Sequence, residues 1–206
     1  MVPLLIATLL LMLAPQTAPQ PSKADPPARP DLVRGPYNQA DVDFMAGMIP
    51  HHAQAVVMAG WAKSHGASEH IQVLCARIVV GQGDEIEFMR NWLRDRGQTV
   101  PAADATHHKM KHGDMEHDML MPGMLSPEEM AALDKARGAE WDRLFLIGMI
   151  KHHQGALTMV DALFESYGAV QEDGMFKFAS DIYADQTTEI DFMTKMLDGY
   201  KPGAKK

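Results

Sequence analysis

Apolar residues recur along most of the chain at helical rather than strand spacing. Over 41–65, Asp41, Phe44, Met48, Ala55, Ala59 and Ala62 share one stripe at ~100° per residue, and Gly66 supplies a stop. A second helix is predicted over 68–96, with Ser68 as N-cap and Gly97 as its end. Its apolar face carries Ile71, Leu74, Ile78, Phe88 and Trp92, interrupted by one charge, Glu85. Ser126, Pro127 and Glu129 form a capping box that opens a third helix over 126–167, with a bend near Gly138. The fourth spans 172–197 and ends before Gly199. No stretch alternates apolar and polar residues over a convincing strand length, so 98–125 reads as a long irregular connection.

The pattern is stated twice. Gly47-Met48-Ile49-Pro50-His51-His52, with Ala55 and Met58, returns 101 residues later as Gly148-Met149-Ile150-Lys151-His152-His153, with Ala156 and Met159. Asp41 and Phe44 fall on Asp142 and Phe145 in the same register, and Gln82, Glu85, Ile86, Phe88 and Met89 recur as Gln186, Glu189, Ile190, Phe192 and Met193. Two compound matches in the same order imply two copies of one helical hairpin. The fold class is therefore all-α, a four-helix bundle over 39–200: hairpin one 39–97, a connection 98–125, hairpin two 126–200, then a tail 201–206.

Ahead of the bundle, Leu4 to Leu13 form an apolar run too short to span a bilayer and suited to an export signal within 1–20, although no Lys or Arg precedes it. Residues 21–38 read as a proline-rich linker. A periplasmic or secreted protein with no membrane span in its mature chain is the expectation.

A net charge of −8 leaves no basic face for nucleic acid. The single cysteine, Cys75, allows no internal disulfide, and its counterpart Ala179 marks it as a small buried apolar group. Seventeen methionines and ten histidines are the anomaly, since thioethers favour Cu(I) and Ag(I) while imidazole accepts several metals. In the connection His107, His108, Met110, His112, Met115, His117, Met119, Met121 and Met124 suit a soft-metal-binding segment better than a solvated linker.

Within the bundle, His51, His52, His152 and His153, with Met48, Met149, Met58 and Met159 near them, can build sites from facing helices. Adjacent histidines point ~100° apart, so one of each pair can face the centre while the other turns to a neighbouring helix. Glu85 and Glu189, each among apolar neighbours, need a hydrogen bond or a cation; they join the candidate ligands. The bland alternative is a set of core histidines bonded to those carboxylates. Met45, Met89, Met193 and Met196 read as plain core, and Asp41 and Asp142 as helix starters. No helix carries Glu-x-x-His, which disfavours redox di-iron chemistry, and no phosphate loop, zinc-protease helix or nucleophile elbow is present.

The segments Phe44 to His52, Gln82 to Met89, Met121-Pro122-Gly123-Met124 and Phe145 to His153 resemble domain-of-unknown-function family 305 over 41–197. The resemblance implies a ferritin-like four-helix bundle, often exported, with some members linked to copper or silver binding. It carries hallmark status to His51, His52, His152 and His153, with Met48 and Met149 beside them. Glutamine stands one place apart in the copies, Gln54 against Gln154 followed by Gly155. The reading is an exported Cu(I)- or Ag(I)-binding protein that stores the ion or gives it to a transfer partner. A metal-dependent oxidase and a metal-free interaction domain are the alternatives.

Overall fold

The computed structural model describes residues 27–29, 34–106, 108–112 and 115–200. The expected export signal, most of the linker, His107 and the tail 201–206 lie outside the described residues. Among the described residues, five helices and one two-stranded ribbon follow in the order α1 Gln39–Gly60, α2 Glu69–Asp95, β1 His108–His112, β2 Met115–Met119, α3 Pro127–Lys135, α4 Gly138–Glu165 and α5 Asp173–Asp198. The four long helices form the expected bundle of two hairpins, α1 with α2 and α4 with α5, joined chiefly where α1 meets α4.

Local sequence explains most boundaries. Asn38 and Asp41 close a capping box at the start of α1, and Ser126 and Glu129 close another on α3. Pro50 sits inside α1, and the helix continues through it. The third predicted helix differs from expectation: Ala136 and Arg137 are extended, and Gly138 takes a left-handed φ of 58° as its N–H bonds His65 O at 2.9 Å. The chain therefore breaks into α3 and α4, a turn that a side chain with a Cβ would strain.

The two Asp expected to start helices do more than that. Asp41 Oδ1 accepts from Val170 N at 2.8 Å, in the loop between α4 and α5. Asp142 accepts from Ser68 N at 3.2 Å, in the loop between α1 and α2, and from the Tyr200 hydroxyl at 2.7 Å. Each hairpin thus fastens the other's turn, which fixes α1 and α4 as antiparallel neighbours.

The core lies in two apolar clusters. One gathers Phe44, Met45, Met48, Ile49, Met89, Leu93, Met159, Val160 and Ile182; the other gathers Met58, Ile71, Leu74, Ile78, Trp141, Phe145, Met149 and Met193. Met45, Met89 and Met193 are fully buried as expected, while Met196 packs at the margin. Phe88 departs from expectation: it is 41% exposed and stacks on Phe178 with ring centroids 4.3 Å apart. Between the clusters lies a polar layer of His51, His52, His152, His153, Gln54, Gln82 and Gln186, all buried.

The connection is more ordered than the irregular loop expected of it. Its antiparallel register pairs His108 with Met119, Lys109 with Asp118, Met110 with His117, Lys111 with Glu116 and His112 with Met115.

Candidate metal centre

His51 and His152 meet at the centre of the bundle, where α1 passes α4. Both are fully buried, and their ring centroids lie 3.8 Å apart. One residue further along each helix, His52 and His153 turn away toward the outer helices. His153 Nε2 donates to Glu189 Oε2 at 2.7 Å, and His52 Nε2 stands 2.7 Å from Glu85 Oε2 without the alignment of a hydrogen bond. The question of which histidine faces the centre is answered the same way in both copies.

Backbone carbonyls hold the inner pair. His51 Nε2 donates to Pro122 O at 3.0 Å, and His152 Nε2 donates to His51 O at 2.9 Å. Burial, with neighbouring histidines adding to it, pushes the pKa of His51 down to about 3 and that of His152 well below its usual value. His153 is also lowered, because burial outweighs the pull of Glu189. These three rings are therefore neutral, with the proton placed on Nε2 by its acceptor and a lone pair left on Nδ1.

None of the four Nδ1 atoms has a hydrogen-bond partner, although all are buried. Leaving one buried polar atom unpaired costs about 1–3 kcal/mol, against a total stability of about 5–15 kcal/mol for a domain. A layer with four such atoms is poorly explained by packing alone. The donor set suits a borderline or soft ion: neutral imidazole nitrogens with thioethers close by. Among the described residues, no three His, Cys, Asp or Glu side chains come together as a ready-made cation site.

The candidate methionines divide. Met48 and Met149 are fully buried in different apolar clusters, on opposite sides of the histidine layer. Met58 and Met159 reach across the central seam in reciprocal fashion. A Cβ on Gly47 of α1 would lie 3.6 Å from Met159 Cε, and one on Gly148 of α4 would lie 3.6 Å from Met58 Cε. The close approaches at these glycines come from the connection: a Cβ on Gly47 would lie 2.7 Å from Met121 Cε and one on Gly148 3.0 Å from Leu125 Cδ2, so the glycines of the repeated motif make room for the residues flanking the Met-Pro-Gly-Met turn. Glu85 and Glu189 face histidine Nε2 atoms, the position of groups that orient a ligand rather than bind the metal.

The Met-Pro-Gly-Met turn covers one side of this layer. Gly123 has φ 76°, and a Cβ on Gly155 of α4 would lie 1.9 Å from Pro122 O, so only glycine lets the turn lie against α4. Gln54 clamps the next residue, donating to Leu125 O at 3.0 Å and accepting from Leu125 N at 2.8 Å. Gln154 is exposed, one place round the helix. The shifted glutamine between the copies is therefore a signature of the turn, which only one face of the pseudo-symmetric bundle carries. Sequence reasoning noted the shift but missed the clamp. Met124 is buried under this turn and Met121 is partly buried. For His108, Met110, His112, Met115, His117 and Met119 the structure gives the strand register described above.

Residues 41–197 match the family described as Domain of unknown function (DUF305). The chain belongs to that family. A DUF305 protein of Streptomyces coelicolor, whose name describes it as secreted, has the same fold with a TM-score of 0.65 and 24% identity, over 81% of this chain and 96% of that one. A DUF305 fragment from Deinococcus radiodurans gives a TM-score of 0.64 and 25% identity, over 80% and 99% of the two chains. CopM, solved in its Cu(I)-bound form, gives a TM-score of 0.59 and 26% identity, covering 79% of this chain and 98% of CopM. CopM has also been solved with Cu(II) and with silver. Uncharacterized protein L153 of Acanthamoeba polyphaga mimivirus is 34% identical over 56 residues, a match spanning 27% of this chain and 37% of that protein.

Proposed function

We propose that this DUF305 protein is an exported binder of Cu(I) and Ag(I) that sequesters the ion or passes it to a transfer partner, without catalytic turnover. The observation that carries the reading is the layer of buried histidines with their Nδ1 atoms unpartnered, three of them in neutral rings. The copper- and silver-bound forms of CopM support the choice of ion. Export rests on the apolar run at Leu4 to Leu13 and on the secreted relative. Among the described residues no helix is long and apolar enough to cross a membrane.

In this reading the histidine layer holds the ion through Nδ1, with Met58 and Met159 supplying thioethers from across the seam. Glu85 and Glu189 keep His52 and His153 turned, and the His/Met rungs of the ribbon capture metal outside the bundle. The test is an anaerobic Cu(I) titration against a competing chelator, with Zn(II) and Fe(II) in parallel. Tight Cu(I) binding with weak Zn(II) and Fe(II) binding is expected. The chain with His51, His52, His152 and His153 all replaced should lose the tighter class of sites, and an unchanged affinity in that variant would overturn the assignment.

A further inference from the structure

The Met-Pro-Gly-Met turn covers the histidine layer on one side, through Pro122 O on His51 Nε2. Between α2 and α5 is a cleft of about 220 Å³, lined on one wall by Arg77, Gly81, Gln82 and Glu85 and on the other by Asp185, Gln186, Thr188 and Glu189. The histidines are fully buried, whereas the side chains of Glu85 and Glu189 are 22% and 19% exposed. These two carboxylates join the cleft to the rings of His52 and His153.

The cleft carries an independent sign of a ligand. Gln82 and Gln186, equivalent residues of the two copies, are 4% and 3% exposed. Both carbonyl oxygens and the Gln82 amide nitrogen have no hydrogen-bond partner. With Glu85, Asp185 and Glu189 they supply oxygen donors and three carboxylates against a single guanidinium, Arg77. Asp185 registers that crowding: burial, Glu85 and Glu189 raise its pKa, and Arg77 only partly offsets them.

We propose that the α2/α5 cleft is a cation vestibule, where a hydrated Cu(I) or Ag(I) ion is held by carboxylate and amide oxygens before passing between Glu85 and Glu189 to the histidines. The proposal rests on the metal-binding reading above. Oxygen donors hold soft ions weakly, so the vestibule concentrates the ion without competing with imidazole and thioether for it.

Two substitutions separate route from destination. A Cβ on Gly81 meets nothing within 4 Å, so Gly81→Trp fills the cleft mouth without disturbing the helix. Asp185→Asn removes one carboxylate of the cleft that bonds none of the histidines. Quench-flow loading of the full chain with Cu(I), using a chromophoric chelator to scavenge unbound ion, should show the phase belonging to the histidine layer slowed about tenfold by Gly81→Trp. For Asp185→Asn it should slow severalfold, with a weaker dependence on salt. Equilibrium affinity of the histidine layer should stay at the wild-type value in Gly81→Trp. Gly60→Trp, placed in open space at the end of α1, is the control and should load at the wild-type rate. Wild-type rates in both cleft variants would overturn the vestibule while leaving the metal site standing. Absence of any Cu(I) binding by the wild-type chain would overturn both.

Discussion

His51 and His152, equivalent residues of the two copies, pack ring against ring with centroids 3.8 Å apart and planes tilted by 38°. Two imidazoles this close inside a protein are held neutral together, since a charge on either would face the other without water. The pKa of His51 falls from 6.5 to about 3, with burial as the largest cause and His52 next. Between those values the unfolded chain binds a proton that the folded chain refuses. Stability from this residue is whole above about pH 6.5 and declines as pH falls toward 3, by up to about 1.4 kcal/mol per pH unit. His152 and His153 are shifted in the same direction and steepen the decline. Urea unfolding of metal-free protein at about pH 7.5, 6 and 5 measures it, and a flat profile would contradict neutral buried rings.

The bundle is also held by its two reciprocal aspartates. Replacing Asp142 with Ala leaves Ser68 N and the Tyr200 hydroxyl without their acceptor, and Asp41→Ala does the same to Val170 N. Each change should cost about 1–3 kcal/mol. Because each aspartate ties a different end of the seam, the double variant should lose close to the sum. Thermal unfolding of the single and double variants tests this; a loss under about 0.5 kcal/mol for either would show that the contact contributes nothing.

These aspartates mark the limit of what the sequence revealed. Helical periodicity and the repeat were enough to place the hairpins and to put two histidines at equivalent points, because both are local patterns. Which loop Asp41 or Asp142 reaches is a long-range property of antiparallel packing, and the offset of 101 carries no trace of it. The ribbon, by contrast, left a signal. His-Lys-Met-Lys-His and Met-Glu-His-Asp-Met alternate with a period of two, but the alternation is between His or Met and charged residues rather than apolar and polar ones, so a search for a half-buried strand passes over it. The exposed Phe88 misled for the converse reason: its period is right, but its position lies on the outer edge of the helical stripe.

Gly155→Ala should show that the turn over the histidines depends on one missing methyl group. The added carbon would sit 1.9 Å from Pro122 O, closer than any relaxed contact, so the turn must lift from α4. Since Pro122 O is also the acceptor for His51 Nε2, lifting it frees that ring. The expected cost is about 1–3 kcal/mol together with weaker Cu(I) binding. Wild-type melting and wild-type affinity in this variant would mean that the turn and α4 do not touch as described.

Cys75 tests the choice of ligands by being expendable. Its thiol is buried in the apolar cluster around Trp141, and burial, with Asp142 nearby, pushes its pKa up to about 12. A thiol in that state is a packing group rather than a thiolate ligand. Cys75→Ala should leave the Cu(I) stoichiometry unchanged and cost about 1 kcal/mol or less, as its Ala179 counterpart suggests. Loss of one bound Cu(I) per chain would return the sulfur to the list of donors.

The ribbon and the histidine layer can be separated by where a deletion ends. Met124 is buried and Leu125 is clamped by Gln54, so removing the connection as far as Met124 would strip the cover from the bundle as well as the ribbon. A deletion of 107–119 that leaves Met121-Pro122-Gly123-Met124 in place removes the whole ribbon and keeps the cover. Long loops are shortened at small entropic cost, so the melting temperature of the metal-free chain should change little. Cu(I) stoichiometry should fall while the tighter class of sites, lost on replacing the four histidines, persists. If stoichiometry is unchanged, the alternation of histidine and methionine along the ribbon has no part in binding; if the tighter sites vanish instead, the ion sits on the ribbon and the unpartnered Nδ1 atoms need another account.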